Sequence, residues 1–117
     1  MDTIQYMLDA LRALVREGYT CARAQHWNTV AGRYQRLFGF ADLLAIQPEE
    51  QGVLAVRCTT AEQRKAHLAK VRKLGAARLW VACGNRLEVW SFGQPDKKGN
   101  RAAERCALAA EDFFLPQ

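Results

Sequence analysis

A chain of 117 residues, half of them apolar and a quarter charged, has the balance of one ordinary globular domain and excludes a disordered or fibrous protein. Its net charge of +5 attracts polyanions, nucleic acid among them, although many basic proteins bind none. No apolar run approaches the roughly 18 residues that span a bilayer, and the N-terminal segment lacks the basic start and continuous apolar stretch of a signal peptide, so a cytoplasmic protein with no membrane partner is expected.

Chain order begins with a helix. Ile4, Met7, Leu8, Leu11, Leu14 and Val15 recur at helical spacing and form one apolar stripe. Asp2 or Thr3 caps its start and Gly18 ends it. Residues 19–25 read as a strand. Residues 26–36, polar and aromatic without a clean period, read as a loop with room for one helical turn. Two further strands, 40–46 and 53–59, flank a turn that holds Pro48 and Gly52. So short a connection makes the pair antiparallel.

A second helix is predicted over 61–74. Thr59 with Glu62, or Thr60 with Gln63, fits a capping box; Leu68, Val71 and Leu74 give an apolar side; Gly75 ends it. Residues 77–83 and 86–92 are predicted to form a hairpin about Gly84-Asn85. After an exposed loop at 93–100, the tail from 101 to 117 is balanced between a helix favoured by its alanines and a last edge strand at 104–108. The strand is preferred, followed by a short turn ending at Phe113 and Phe114. The expected fold class is α/β. One domain spans 1–117, with its core at about 3–92, in the order α-β-β-β-α-β-β plus tail. A mixed sheet is flanked by helices, and the second helix provides a parallel crossover.

Cys21, Cys58, Cys83 and Cys106 show no C-x-x-C or Cys/His zinc spacing. Buried free thiols in a reducing compartment are the expected reading, ahead of a regulatory disulfide or a metal site. No nucleophilic triad, phosphate loop or metal-binding histidine spacing is present.

Asp42 is the residue that does not belong. It is the only acid between Glu17 and Glu49, and it sits in an otherwise apolar strand. A lone buried carboxylate costs several kcal/mol unless it is paired, coordinated or protonated. Alternation puts Asp42, Leu44 and Ile46 on one face, and Arg57 and Thr59 together on the next strand. A hairpin brings the two sets together at one end of the sheet.

A helix, a strand, a strand with an aspartate, and a third strand leading into a helix resemble the PD-(D/E)XK nucleases, which include restriction endonucleases and Holliday-junction resolvases. Leu37-Phe38-Gly39-Phe40-Ala41-Asp42-Leu43-Leu44-Ala45 resembles their glycine-then-aspartate strand, and 53–59 the strand that carries their acid-x-lysine pair. The likeness covers the first helix through Phe92. It is nearer still to small phage and bacterial proteins with a glutamine-x-threonine variant of that pair and an extra aspartate before the Leu-Phe-Gly segment. Thr59 fits the variant at the lysine position, whereas Arg57 stands at the acid or glutamine position and Arg36 at the extra aspartate.

The resemblance implies a restriction-endonuclease-like domain, and in its active form a magnesium- or manganese-dependent endonuclease. In that family two acids hold the ion, and the lysine positions the attacking water. Asp42 supplies one metal ligand. Arg57, charged and donor-only, supplies none. Glu17, Gln35 or backbone carbonyls are the remaining candidates. If cleavage survives, Asp42 is the ligand and Thr59 a weak water-positioning group. Three readings stay open for the pair: Arg57 bound directly to Asp42 in place of the ion, a working metal site, or both side chains pointing to solvent. The direct pair is preferred.

Arg64, Lys65, Lys70, Arg72 and Lys73 on the second helix, with Arg33 and Arg36 before the Asp42 strand, form a candidate phosphate-binding surface or an ordinary solvated face. Trp27 or Tyr34 is placed to stack on a base, or else Trp27 buries itself under the loop. His67 is expected to be exposed on its helix. Trp80, Trp90 and Phe92 are expected in the core or against a partner strand. The function expected is therefore DNA-directed nucleic-acid binding on a nuclease-like fold with a weakened metal site that takes magnesium or manganese or dispenses with the ion. The alternative is a protein-binding or inhibitor role, phage or defence related, on an inactive fold. A homodimer formed through the apolar final hairpin is compatible with both.

Overall fold

A computed structural model describes residues 3–99 and 101–113. Helix α1 (Thr3–Arg16) turns Met7, Ala10 and Leu14 fully inward, joined by Tyr6, Leu11 and Ala13. Val15, counted in the apolar stripe, is exposed, because the buried face is centred on the 7-10-14 line. The Asp2 or Thr3 cap lies outside the described residues and side chains.

Strands β1 (Thr20–Arg23), β4 (Leu43–Ile46), β5 (Leu54–Thr60), β6 (Arg86–Phe92) and β7 (Ala103–Leu108) form one mixed sheet in the order β1-β4-β5-β6-β7. The expected α/β mixed sheet flanked by helices is therefore present. The first three strands run antiparallel in turn, β5 and β6 are parallel, and β7 returns antiparallel. Alternation sorts the central side chains. Leu54, Val56, Cys58, Trp90 and Phe92 face α1. Ala55, Leu87 and Val89 face the opposite layer.

That layer is built from two helices, α2 (Arg64–Arg72) and α3 (Gly75–Ala82), where a helix followed by a strand was expected. Leu74 is extended, and Gly75 opens α3 instead of closing α2. Residues 77–82 are helical and form, with α2, the connection that carries the chain from β5 to its parallel neighbour β6. Gly84-Asn85 is a helix end, not a hairpin. Gly84 is left-handed (φ 91°), its N–H donates to Val81 O at 3.0 Å, and the Asn85 N–H donates to Trp80 O at 3.3 Å, which is a Schellman closure. Trp80 packs edge-on against Phe40, while Trp90 and Phe92 are buried beneath α1. The final hairpin expected as a dimer face is thus absent.

The α2 cap also differs. Thr60 Oγ1 accepts the Gln63 N–H at 3.2 Å, but the helix starts at Arg64 and Thr59 takes no part in capping. The tail is a strand, as preferred, and a 3₁₀ turn at Ala110–Asp112 follows it. Phe113 is buried; Phe114 and Asn100 lie outside the described residues. All four cysteines are free, but only Cys58 is buried; Cys21 and Cys106 are half-buried, and Cys83, at the end of α3, is exposed.

The segment 26–36 is a small hairpin instead of a loop. Strands β2 (His26–Asn28) and β3 (Arg33–Gln35) pair antiparallel as a second, two-stranded sheet. Asn28 Oδ1 accepts the Val30 and Ala31 N–H groups at 3.0 and 2.9 Å, and left-handed Gly32 completes the turn.

Candidate functional site

Asp42 is completely buried. Its backbone remains on the sheet ladder: its N–H donates to Val56 O and its carbonyl accepts the Ala24 N–H, both at 2.9 Å. Its carboxylate is fully engaged. Oδ2 accepts the Cys58 N–H at 2.7 Å. Oδ1 accepts the Gln25 side-chain amide at 2.5 Å and lies 3.0 Å from Arg36 Nε as an ion pair.

The register that pairs Leu43 with Val56 places Asp42 opposite Arg57 on one sheet face, as expected. The direct partner is nevertheless Arg36. A tight turn explains this: Phe38 (φ 54°) and Gly39 (φ 82°) are consecutive left-handed residues, and Leu37 bridges Ala41 across them. One step outward, that turn sets Arg36 opposite Asp42. Gln25 and His67 were the partners missed in the sequence. The Gly39 turn was the legible signal for Arg36; nothing local pointed to Gln25.

Arg57 is only 1% exposed. Its Nε donates to His67 Nδ1 at 2.9 Å and its Nη1 to Gly39 O at 3.1 Å. Burial, and then the nearby Arg36 charge, lower its pKa to about 10, against the opposing pull of Asp42. It stays charged. His67, expected to be exposed, turns inward and serves as the acceptor. Burial, followed by Arg57 and Arg36, lowers its pKa to about 4, so the ring is neutral.

These side chains line a cleft of about 550 Å³ between β5 and α2. Arg36, Arg57, Lys70, His67 and Thr59 contribute to its wall, together with Tyr6 from α1, and no acid does. Thr59 is buried, and its Oγ1 has no hydrogen-bond partner.

The five cations of the second helix do not act as one surface. Lys70 reaches the cleft with Gln63, Ala66 and His67, the i, i+3, i+4, i+7 side of the helix. Arg64 is held by Glu104 at 2.6 Å. Lys65 and Lys73 are exposed outside the cleft, and Arg72 is half-buried there. Arg33 is exposed on the hairpin, paired with Asn28.

The expected metal ligands do not come together. Glu17 forms a two-pronged pair with Arg105 at 2.6 and 2.8 Å, which lowers its pKa. Gln35 lies opposite His26 in the hairpin. Among the described residues no group of three His, Cys, Asp or Glu side chains converges. One carboxylate whose oxygens already serve an amide N–H, a side-chain amide and a guanidinium does not fit a magnesium or manganese ion, which takes oxygen ligands.

Fold and site together define a mixed α/β domain with a cation-lined cleft above a buried, fully engaged carboxylate. No protein-family model matches the chain, and neither does any curated protein or solved structure. Among the described residues no helix is long and apolar enough to cross a membrane.

Proposed function

We propose that the protein binds nucleic acid, DNA in the first instance, through this cleft, on a nuclease-like fold whose metal position has been taken over by cations. The observation that carries the reading is the cleft wall: two guanidiniums, an ammonium and an unpartnered hydroxyl with no acid among them. Phosphate oxygens complement that set, since arginine offers a fork of donors and lysine a compact charge. Arg57 and Thr59 hold the two positions that the PD-(D/E)XK resemblance gives to the catalytic pair, which supports a binder over a magnesium-dependent endonuclease. The free thiols support a reducing compartment, the cytoplasm.

Binding of labelled DNA measured over a salt series tests the reading. Affinity falls steeply with salt, and Lys70→Glu weakens it severalfold. Absence of binding at low salt sinks the proposal. Stoichiometric magnesium binding seen at the Asp42 carboxyl carbon by NMR, or DNA cleavage lost in Asp42→Asn, sinks its metal-free part.

One observation favours a second reading. Phe38 (61% exposed) and Leu79 (62% exposed) border an apolar hollow of about 200 Å³ with Trp80 and Cys83. Such a patch suits a protein partner, a second copy of this chain included.

A further inference from the structure

The β2–β3 hairpin stands on the same carboxylate as the cleft. Gln25 and Arg36, the residues just outside its two strands, both reach Asp42 Oδ1. Trp27 and Tyr34 are cross-strand partners one alternation further along. They therefore share the face of Gln25 and Arg36, and strand rise sets Tyr34 about 7 Å from Arg36 along the chain.

This aromatic pair is not buried. Trp27 is 53% exposed and Tyr34 46% exposed. Their rings meet edge-to-face at 75° with centroids 5.1 Å apart, an arrangement that leaves ring surface open. Arg23 lies over the Tyr34 ring at 5.4 Å. From residue 18 to 48 the only acid is Asp42, and it is sealed in the sheet. The face presented to solvent thus runs from exposed rings to the Arg36 edge of a cationic, acid-free cleft.

Within the nucleic-acid reading, on which this step rests, we infer that hairpin and cleft together grip an unpaired strand. A base stacks on the Trp27 ring, with Tyr34 edge-on beside it, and the adjoining phosphate enters the cleft between Arg36, Arg57 and Lys70. A duplex keeps its base faces stacked internally and offers the rings nothing; an unpaired base offers a full π-face. Charge complementarity selects the polyanion, and the exposed rings select its unpaired form.

The test compares the full chain on a labelled mixed-sequence single strand, its RNA counterpart, and the same DNA strand annealed to its complement. The single strands, DNA or RNA, bind about tenfold tighter than the duplex, in keeping with stacking of one base. Trp27→Ala loses about that factor on the single strand, while Trp27→Phe, which keeps a ring and the hairpin packing, retains most of it. Tryptophan emission is quenched when the single strand is added, and Trp27→Phe abolishes the quench without abolishing binding. A duplex bound as tightly as the single strand, or Trp27→Ala binding like the parent, overturns the inference and leaves nucleic-acid binding standing. Failure to bind any of the three probes removes both.

Discussion

Removing the Asp42 carboxylate strands two donors, the Cys58 N–H and the Gln25 amide, and takes away the ion-pair partner of Arg36. Cys58 is fully buried, so its N–H gains no water in exchange. Asp42→Ala is therefore expected to destabilise the fold by about 2–4 kcal/mol in chemical denaturation, with Asp42→Asn recovering part by keeping one acceptor oxygen. His67 gives a pH signature. Its pKa is about 4 in the folded protein against an ordinary 6.5, so between these values the unfolded chain binds more protons. The stability tied to its neutral ring is complete above the ordinary value and is lost as pH falls through that window. Denaturation midpoints at about pH 7 and about pH 5 should differ in the parent and differ less in His67→Gln. The lowered pKa of Glu17 acts in the same direction at lower pH and persists in that variant.

Among the elements, the turn before β5 and the end of α3 hold each other. The Val53 N–H donates to Asn85 Oδ1 and the Arg86 N–H to Val53 O, both at 2.9 Å. A Cβ on Gly52 would lie 2.3 Å from Gly84 O, at a φ of +76°. A Cβ on Gly84 meets nothing within 4 Å, so only its left-handed backbone resists substitution. Gly84→Ala is expected to cost about 1 kcal/mol and Gly52→Ala about 3 kcal/mol, read from denaturant midpoints at an unchanged slope. If the two cost the same, the close approach is not what selects glycine at 52. Element reading from sequence failed where a short apolar run had no period of its own. Residues 77–83 fit a strand or a helix equally, and the alanines at 76, 77 and 82 were the only local hint of a helix. The β2–β3 hairpin was missed because its three-residue strands are mostly exposed and carry no core alternation.

At the scale of the molecule, charge is arranged and not merely abundant. The α1 side of the sheet is apolar around Trp90, which Arg105 covers at 3.8 Å while paired with Glu17. The opposite side is apolar under α3 but opens, at the end of β5, into the cationic cleft. One phosphate held among Arg36, Arg57 and Lys70 and a second near Arg23 would release about two counterions, so the logarithm of affinity for a single strand should fall against the logarithm of salt with a slope of about −1.4. A flat salt dependence would point to the apolar hollow at Phe38 and Leu79 as the working surface.

By itself, the sequence determined that Asp42 needs compensation, that Arg57 and Thr59 share a face, and that a mixed sheet is flanked by helices. Each follows from alternation, periodicity or the cost of an unpaired buried charge, which are properties of neighbouring residues. Only the tertiary structure decided which cation meets Asp42, because Arg36, Gln25 and Cys58 come from three separate segments folded onto one carboxylate. Likewise, only the packing of α2 and α3 over β5 and β6 set residues 77–82 in a helix and turned His67 inward onto Arg57. Contacts between distant segments depend on how the strands stack, and no local pattern carries that information.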